Sequence, residues 1–149
     1  MTASVSDQMV AALRAYLSGN RAEYDRLFDQ FDMKAEGLAW SALIAAGFFE
    51  AVDRRWANDR DSADIVEYVA SVRAKDPELS EQIEPNVAEQ LILHALGKSE
   101  APDVDDSDRY AIQFLFMAAL IVDERLDGAG LDKFLAAVRE LADDVLKQQ

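Results

Sequence analysis

Apolar residues recur at intervals of three and four along most of this chain, and no stretch alternates apolar with polar residues long enough to make a sheet. Two stretches are apolar on nearly every helical face. In residues 110–122, YAIQFLFMAALIV, Gln113 is the only polar side chain apart from the Tyr110 hydroxyl. A helix apolar all round has to be enclosed all round. At ~1.5 Å of rise per residue it would span about 20 Å, short of a bilayer core of roughly 30 Å. It is therefore expected at the centre of a soluble helical domain, wrapped by protein on all sides. The second stretch covers residues 38–57. Leu38, Ala42, Ala45, Phe49, Val52 and Trp56 share one face, with Trp40, Ile44, Gly47 and Phe48 on the adjoining one. Gly47 would weaken a solvated helix by ~1 kcal/mol relative to alanine, so close approach of a neighbouring helix is the physical reason to expect it there.

Five further helices are predicted around this pair. The first covers 5–18, capped by Ser4 and closed by Gly19, with Val5, Met9, Ala12, Leu13, Tyr16 and Leu17 as its stripe. The second starts at Asn20, with Glu23 as capping-box partner, buries Tyr24, Leu27, Phe28 and Phe31, and ends near Met33 because the Gly37 region breaks the pattern. Ser62 caps the fourth, 63–74, which buries Ile65, Tyr68, Val69 and Val72 and stops before Asp76-Pro77. Residues 78–82 form a single turn. Pro85 opens the fifth, which faces inward with Val87, Ala88, Leu91, Ile92 and Ala95 and is closed by Gly97. An acidic loop, 97–108, leads to Asp106 or Ser107 as cap of the central helix. The seventh, 131–147, carries Leu131, Phe134, Leu135, Val138, Leu141 and Val145. The fold class is all-α: a single globular bundle of about seven helices over residues 1–149.

An offset of 66 residues (138 − 72) lays residues 62–73 over 128–139, with Ala63, Ala70, Val72 and Arg73 finding identical partners and Phe48 falling on Phe114. The offset predicts two similar three-helix units, the second to fourth and the fifth to seventh helices, packed about the central apolar pair.

Half of the residues are apolar, with three prolines and six glycines, which suits helices with a real core. The absence of cysteine excludes disulfides, thiolate catalysis and Cys-ligated zinc. No basic segment followed by an apolar run opens the chain, so a cytoplasmic location is expected. The net charge of −14, from 29 acids against 15 Lys and Arg, repels phosphate backbones and anionic membranes. Neither a nucleic-acid nor a membrane partner is expected. A field of that sign attracts basic partners, though acidity also serves plain solubility.

Candidate chemistry is sparse. His94, the single histidine, lies on or beside the buried face of the fifth helix. Catalysis there would need a carboxylate or nucleophile beside it. Glu50 interrupts the run GFFEAV, and Arg54 four residues on is its expected ion-pair partner. Arg54, Arg55 and Arg60 form the only basic cluster, expected to neutralise Asp53, Asp59, Asp61 and Asp64. The acidic loops lack EF-hand spacing: counting from Asp103, position six is Asp108 and position twelve is Phe114. No phosphate-binding glycine loop, nucleophile elbow or metalloprotease helix occurs, and no cofactor is expected.

These features favour a non-enzymatic interaction protein. Its acidic surface, led by Asp103, Asp105, Asp106 and Asp108, would dock a basic protein, or the chain would pair with itself as a homodimer. The alternative is a small-molecule-binding or enzymatic bundle with an apolar cavity between the two apolar helices, contacted by Glu50, His94 and Trp40. A cavity lined by Glu50 or His94 would favour the alternative. A solid core with both exposed would count against it.

Overall fold

The computed structural model describes residues 3–56, 62–75, 77–126 and 128–148, without the side chains of residues 62, 63, 79 and 80. Its helices are α1 (Asp7–Leu17), α2 (Arg21–Phe28), α3 (Met33–Trp56), α4 (Ser62–Ala74), α5 (Pro77–Gln82), α6 (Pro85–Ala95), α7 (Asp106–Glu124) and α8 (Gly128–Lys147). Seven have two turns or more, and the six-residue α5 is the short turn expected from the sequence. No strand occurs among the described residues. The architecture is the expected all-α bundle.

Local chemistry explains the boundaries. Asn20 Oδ1 accepts the Glu23 amide at 3.2 Å, so the predicted cap of α2 forms. The cap of α1 is Ser6 rather than Ser4: its hydroxyl accepts the Met9 amide at 3.2 Å. Helices α1 and α6 close alike. Gly19 and Gly97 take positive φ (80° and 74°), and the following amides reach back to Ala15 O at 2.8 Å and Leu93 O at 2.9 Å. That is the Schellman arrangement, and the left-handed φ is the reason for glycine at both ends. Helix α3 starts at Met33, five residues before the expected start. Asp32 holds this end: its carboxylate accepts the Lys34 amide, and its own amide donates to Glu36. Capping outweighs the cost of Gly37, which lies inside the helix.

The two most apolar helices pack at the centre, as expected: α3 runs along α7 on one side and along α8 on the other. Gly47 sits at this junction. A Cβ there would overlap the Met117 sulfur on α7 and come within 3.7 Å of Val138 on α8. Helix α3 buries two tryptophans, Trp40 two turns from its start and Trp56 at its last position, and both indole N–H groups are satisfied. Trp40 donates to the Tyr110 hydroxyl at 2.8 Å and Trp56 to Asp64 at 2.7 Å. By length and composition α3 would also pass as a bilayer-spanning helix, and half of its most apolar window is buried against the rest of the chain.

Three expectations about faces are corrected. Helix α7 is not wrapped all round. Ile112, Gln113, Phe116, Met117, Leu120 and Ile121 are buried, but Ala111 and Val122 are exposed and Leu115 and Ala118 partly so. Helix α3 buries the Trp40–Ile44–Phe48 side, leaving Leu38 exposed and Ala45 and Phe49 half-covered. Helix α8 buries Ala142 and Leu146 in place of Leu141 and Val145, which are 38% and 42% exposed. The segment before α1 is tied to that side. Val5 donates its amide to Asp143 at 2.9 Å, and Arg139 donates to the Val5 carbonyl at 2.9 Å. The central pairing of α3 with α7 is the one the two-unit layout requires. The outer helices are placed differently: α8 lies along α3, whereas α4, its counterpart, packs against α5 and α6.

Gly47→Ala is expected to lower stability by about 1–3 kcal/mol in urea denaturation, despite the better helix propensity of alanine, because the added methyl overpacks a buried contact. Combined with Met117→Ala, the loss should be smaller than the sum of the two single losses, since both changes act on one gap. Strict additivity would mean that Gly47 does not set the α3–α7 approach.

Candidate ligand-binding cleft

A cleft of about 510 Å³ opens between α3, α6, α7 and the segment after α6. Leu38, Ser41, Ala45 and Phe49 make its α3 wall, which is the helix face the core leaves half-covered. Leu91 and His94 come from α6, Ala101 from the following loop, and Asp106, Arg109, Tyr110 and Gln113 from one side of α7.

His94 lies in the last turn of α6. The reversal at Gly97 turns the chain back, so that the Ser99 carbonyl comes within 3.1 Å of His94 Nδ1. A carbonyl only accepts, so Nδ1 carries the proton in this bond and Nε2 is the acceptor of the neutral ring. The ring packs edge-on against Phe49, with centroids 6.2 Å apart. Among the described residues no hydrogen bond or ion pair joins His94 to a carboxylate or to Ser41, the hydroxyl sharing the cleft.

Gln113 is 8% exposed, the one buried polar side chain among the described residues. It lines the cleft and has no hydrogen-bond partner among the described residues. Its amide is not among the fully buried atoms that lack a partner, so its oxygen and nitrogen open on the cleft and are free to meet a group entering it. One turn earlier, the Tyr110 hydroxyl accepts the Trp40 N–H, which leaves its own proton to donate. Arg109 is paired with Asp106 at the mouth.

The candidates named from sequence therefore separate. His94 lies in the cleft. Trp40 is fully buried and bears on it through Tyr110. Glu50 is partly exposed and lies outside it. The expected Glu50–Arg54 pair does not form. Arg54 turns to Glu124, in the last turn of α7, with Nε and Nη2 at 3.1 Å and 2.8 Å from Oε2. That neighbouring helix offers one oxygen to both guanidinium nitrogens. The Glu124 hydrogen bond, with the charges of Glu124 and Glu50, raises the Arg54 pKa further. Arg55 stays near Asp64 at 3.8 Å and over the Trp56 and Tyr68 rings. Arg60, Asp59 and Asp61 lie outside the described residues, and Ser62, expected as the cap of the fourth helix, is instead the first residue of α4. Asp103, Asp105, Asp106 and Asp108 are all exposed, and Asp105, not Asp106 or Ser107, occupies the N-cap of α7. No group of three or more His, Asp or Glu side chains is placed to hold a metal among the described residues. Sequence reasoning missed Gln113, Tyr110 and Ser41 as cleft residues. The available signal was Gln113 itself, a lone amide in an apolar run.

Burial raises the pKa of three phenols. For Tyr24 burial acts first, then Tyr110 and Tyr16, pushing it up to about 12; for Tyr68 burial acts first, then the Asp123 charge. Tyr110 is raised by burial against the lowering effect of the Trp40 bond. All three are neutral in both folded and unfolded chains well below pH 10, so their contribution is intact there. Above it the unfolded chain ionises first, and stability should fall as pH rises, continuing to about 12 for Tyr24. Urea midpoints measured across this range, beside a tyrosinate absorbance titration, test this. A flat profile would contradict the buried phenols.

No protein-family model, no curated protein and no solved structure matches this chain.

Proposed function

We propose that this chain is a small-molecule-binding helical protein. Its ligand is a compact neutral molecule with an apolar body and one edge that both donates and accepts hydrogen bonds, as a primary carboxamide does. The observation that carries this reading is Gln113: a side chain largely enclosed in an apolar wall, whose amide opens on the cleft with no protein partner among the described residues. An amide is best met by its own complement, one donor and one acceptor. Tyr110 O–H supplies a further donor and His94 Nε2 a further acceptor, while Leu38, Phe49 and Leu91 cover the apolar body. The volume lies within the range of about 300–1,000 Å³ typical of small-ligand sites. The net charge of −14 disfavours anions. The contacts of His94, a carbonyl and a phenyl ring, orient the imidazole without supplying an acid–base partner, which supports binding over catalysis.

Benzamide, benzoate and benzylamine make a suitable probe set, read by NMR shifts of the Gln113 side-chain amide and the His94 ring. Benzamide should bind in the millimolar range expected of so small a ligand, with benzoate weaker. Gln113→Leu, which keeps the volume and removes the amide, should abolish the benzamide preference. Equal response to all three probes in both proteins would discard this reading.

A second reading follows from the acidic edge beside the cleft. Asp103, Asp105, Asp106 and Asp108 are all exposed, and among them only Asp106 has an ion-pair partner among the described residues. This edge would dock a basic protein. Changing all four to Asn should weaken capture of a lysine-rich peptide more than neutralising the exposed Asp25, Asp29, Glu140 and Asp144. Equal losses would leave a general field effect and no docking edge.

A further inference from the structure

The side of α7 that the rest of the chain covers only in part, with Ala111 and Val122 exposed and Leu115 and Ala118 resting against the core edge, has an order of its own. Ala111, Leu115, Ala118 and Val122 follow one another at intervals of four, three and four, the repeat of a two-helix seam. Val122 is 60% exposed. Three positions beyond each end of this strip lie Asp108 and Arg125, both exposed and neither in an ion pair among the described residues. The strip is symmetric about the peptide bond between Phe116 and Met117. Asp108 and Arg125 lie equally far from it, as do Ala111 and Val122, and Leu115 and Ala118.

We infer that this face joins two copies of the chain, with their α7 helices antiparallel across a twofold axis at that bond. The operation sets Asp108 opposite Arg125 of the second copy at both ends of the seam, Ala111 against Val122, and Leu115 against Ala118. Each interface is then self-complementary, as a twofold requires. A parallel arrangement would put Asp108 on Asp108 and Arg125 on Arg125. The helix ends favour the same choice. Asp108 stands in the first turn of α7 and Arg125 is its C-cap, so opposite ends of the two macrodipoles meet. Depressions flank Leu115 on both sides, one beside Tyr24 and the other beside Ile83, and receive side chains of the second copy. The mutual repulsion of two strongly acidic chains acts at long range and is screened at physiological ionic strength, where the Debye length is about 8 Å; the end pairs act at contact.

Sedimentation equilibrium at physiological ionic strength tests the association, at concentrations up to about 1 mM. A dimer is expected. Asp108→Arg or Arg125→Asp alone should weaken it about tenfold, and the two together in one chain should restore it to within about threefold. Both positions are exposed, and unchanged helical circular dichroism confirms that the variants fold. The chain has no cysteine, so the direction can be read by cross-linking. Ala111→Cys mixed with Val122→Cys should form a heterodimeric disulfide, and neither variant alone should do so. A native protein that stays monomeric throughout, a double reversal no better than the singles, or ready self-linking of Ala111→Cys would each overturn the inference.

Discussion

The fold depends on how closely α3 and α7 approach at Gly47. With no side chain at that position, the Met117 sulfur of α7 fills the space a Cβ would take, and Val138 of α8 comes up from the other side. One helix can then serve two neighbours along its length. The largest fully buried side chains of the three helices that meet there include Trp40, Trp56 and Phe48 on α3, Phe116 on α7 and Phe134 on α8. Each large apolar side chain contributes about 1.5–3 kcal/mol on burial, so the region where three helices meet holds much of the driving force. The two buried tryptophans of α3 bring a polar requirement with them. Tyr110 meets one and Asp64 the other, and these two hydrogen bonds link α7 and α4 to α3.

The cleft follows from the same geometry. Because α3 gives its Trp40–Phe48 side to the core, its Leu38–Phe49 side faces the space between α6 and α7. The reversal after α6 then carries the chain over that space, with the Ser99 carbonyl orienting His94. Gln113 completes the wall from α7. The Trp40–Tyr110 bond belongs to both parts: it satisfies a buried indole and leaves the phenol proton directed by its partner. A core contact and a cleft-lining hydroxyl are thereby one group.

Charge is distributed to a different rule. The pairs Arg54–Glu124, Arg14–Asp132 and Arg139–Asp7 link elements far apart in sequence, and all are partly or largely exposed. Pairs of that kind are worth about 0–1 kcal/mol each. They tune the register of the helices without holding the bundle together. The excess of carboxylates over these pairs is left to solvent and sets the field that any ligand or partner crosses.

Sequence alone determined the helical class, the central pairing of the two apolar helices, and several ends where one residue decides: Asn20, Pro85, Gly19 and Gly97. Those are local matters, settled by capping chemistry and periodicity within a few residues. It also marked Gly47 as a place of close approach, since an unneeded glycine in a helix has a cost. Tertiary structure decided which face of each apolar helix is inside. Leu38 and Leu141 have apolar neighbours on both sides in their helices, so periodicity cannot choose between two apolar faces; packing against other helices does. It likewise decided that Arg54 binds Glu124 rather than Glu50, because a neighbouring helix supplied a better-placed carboxylate. Gln113 was visible as a lone amide, but its meaning depended on what α3 and α6 place opposite it.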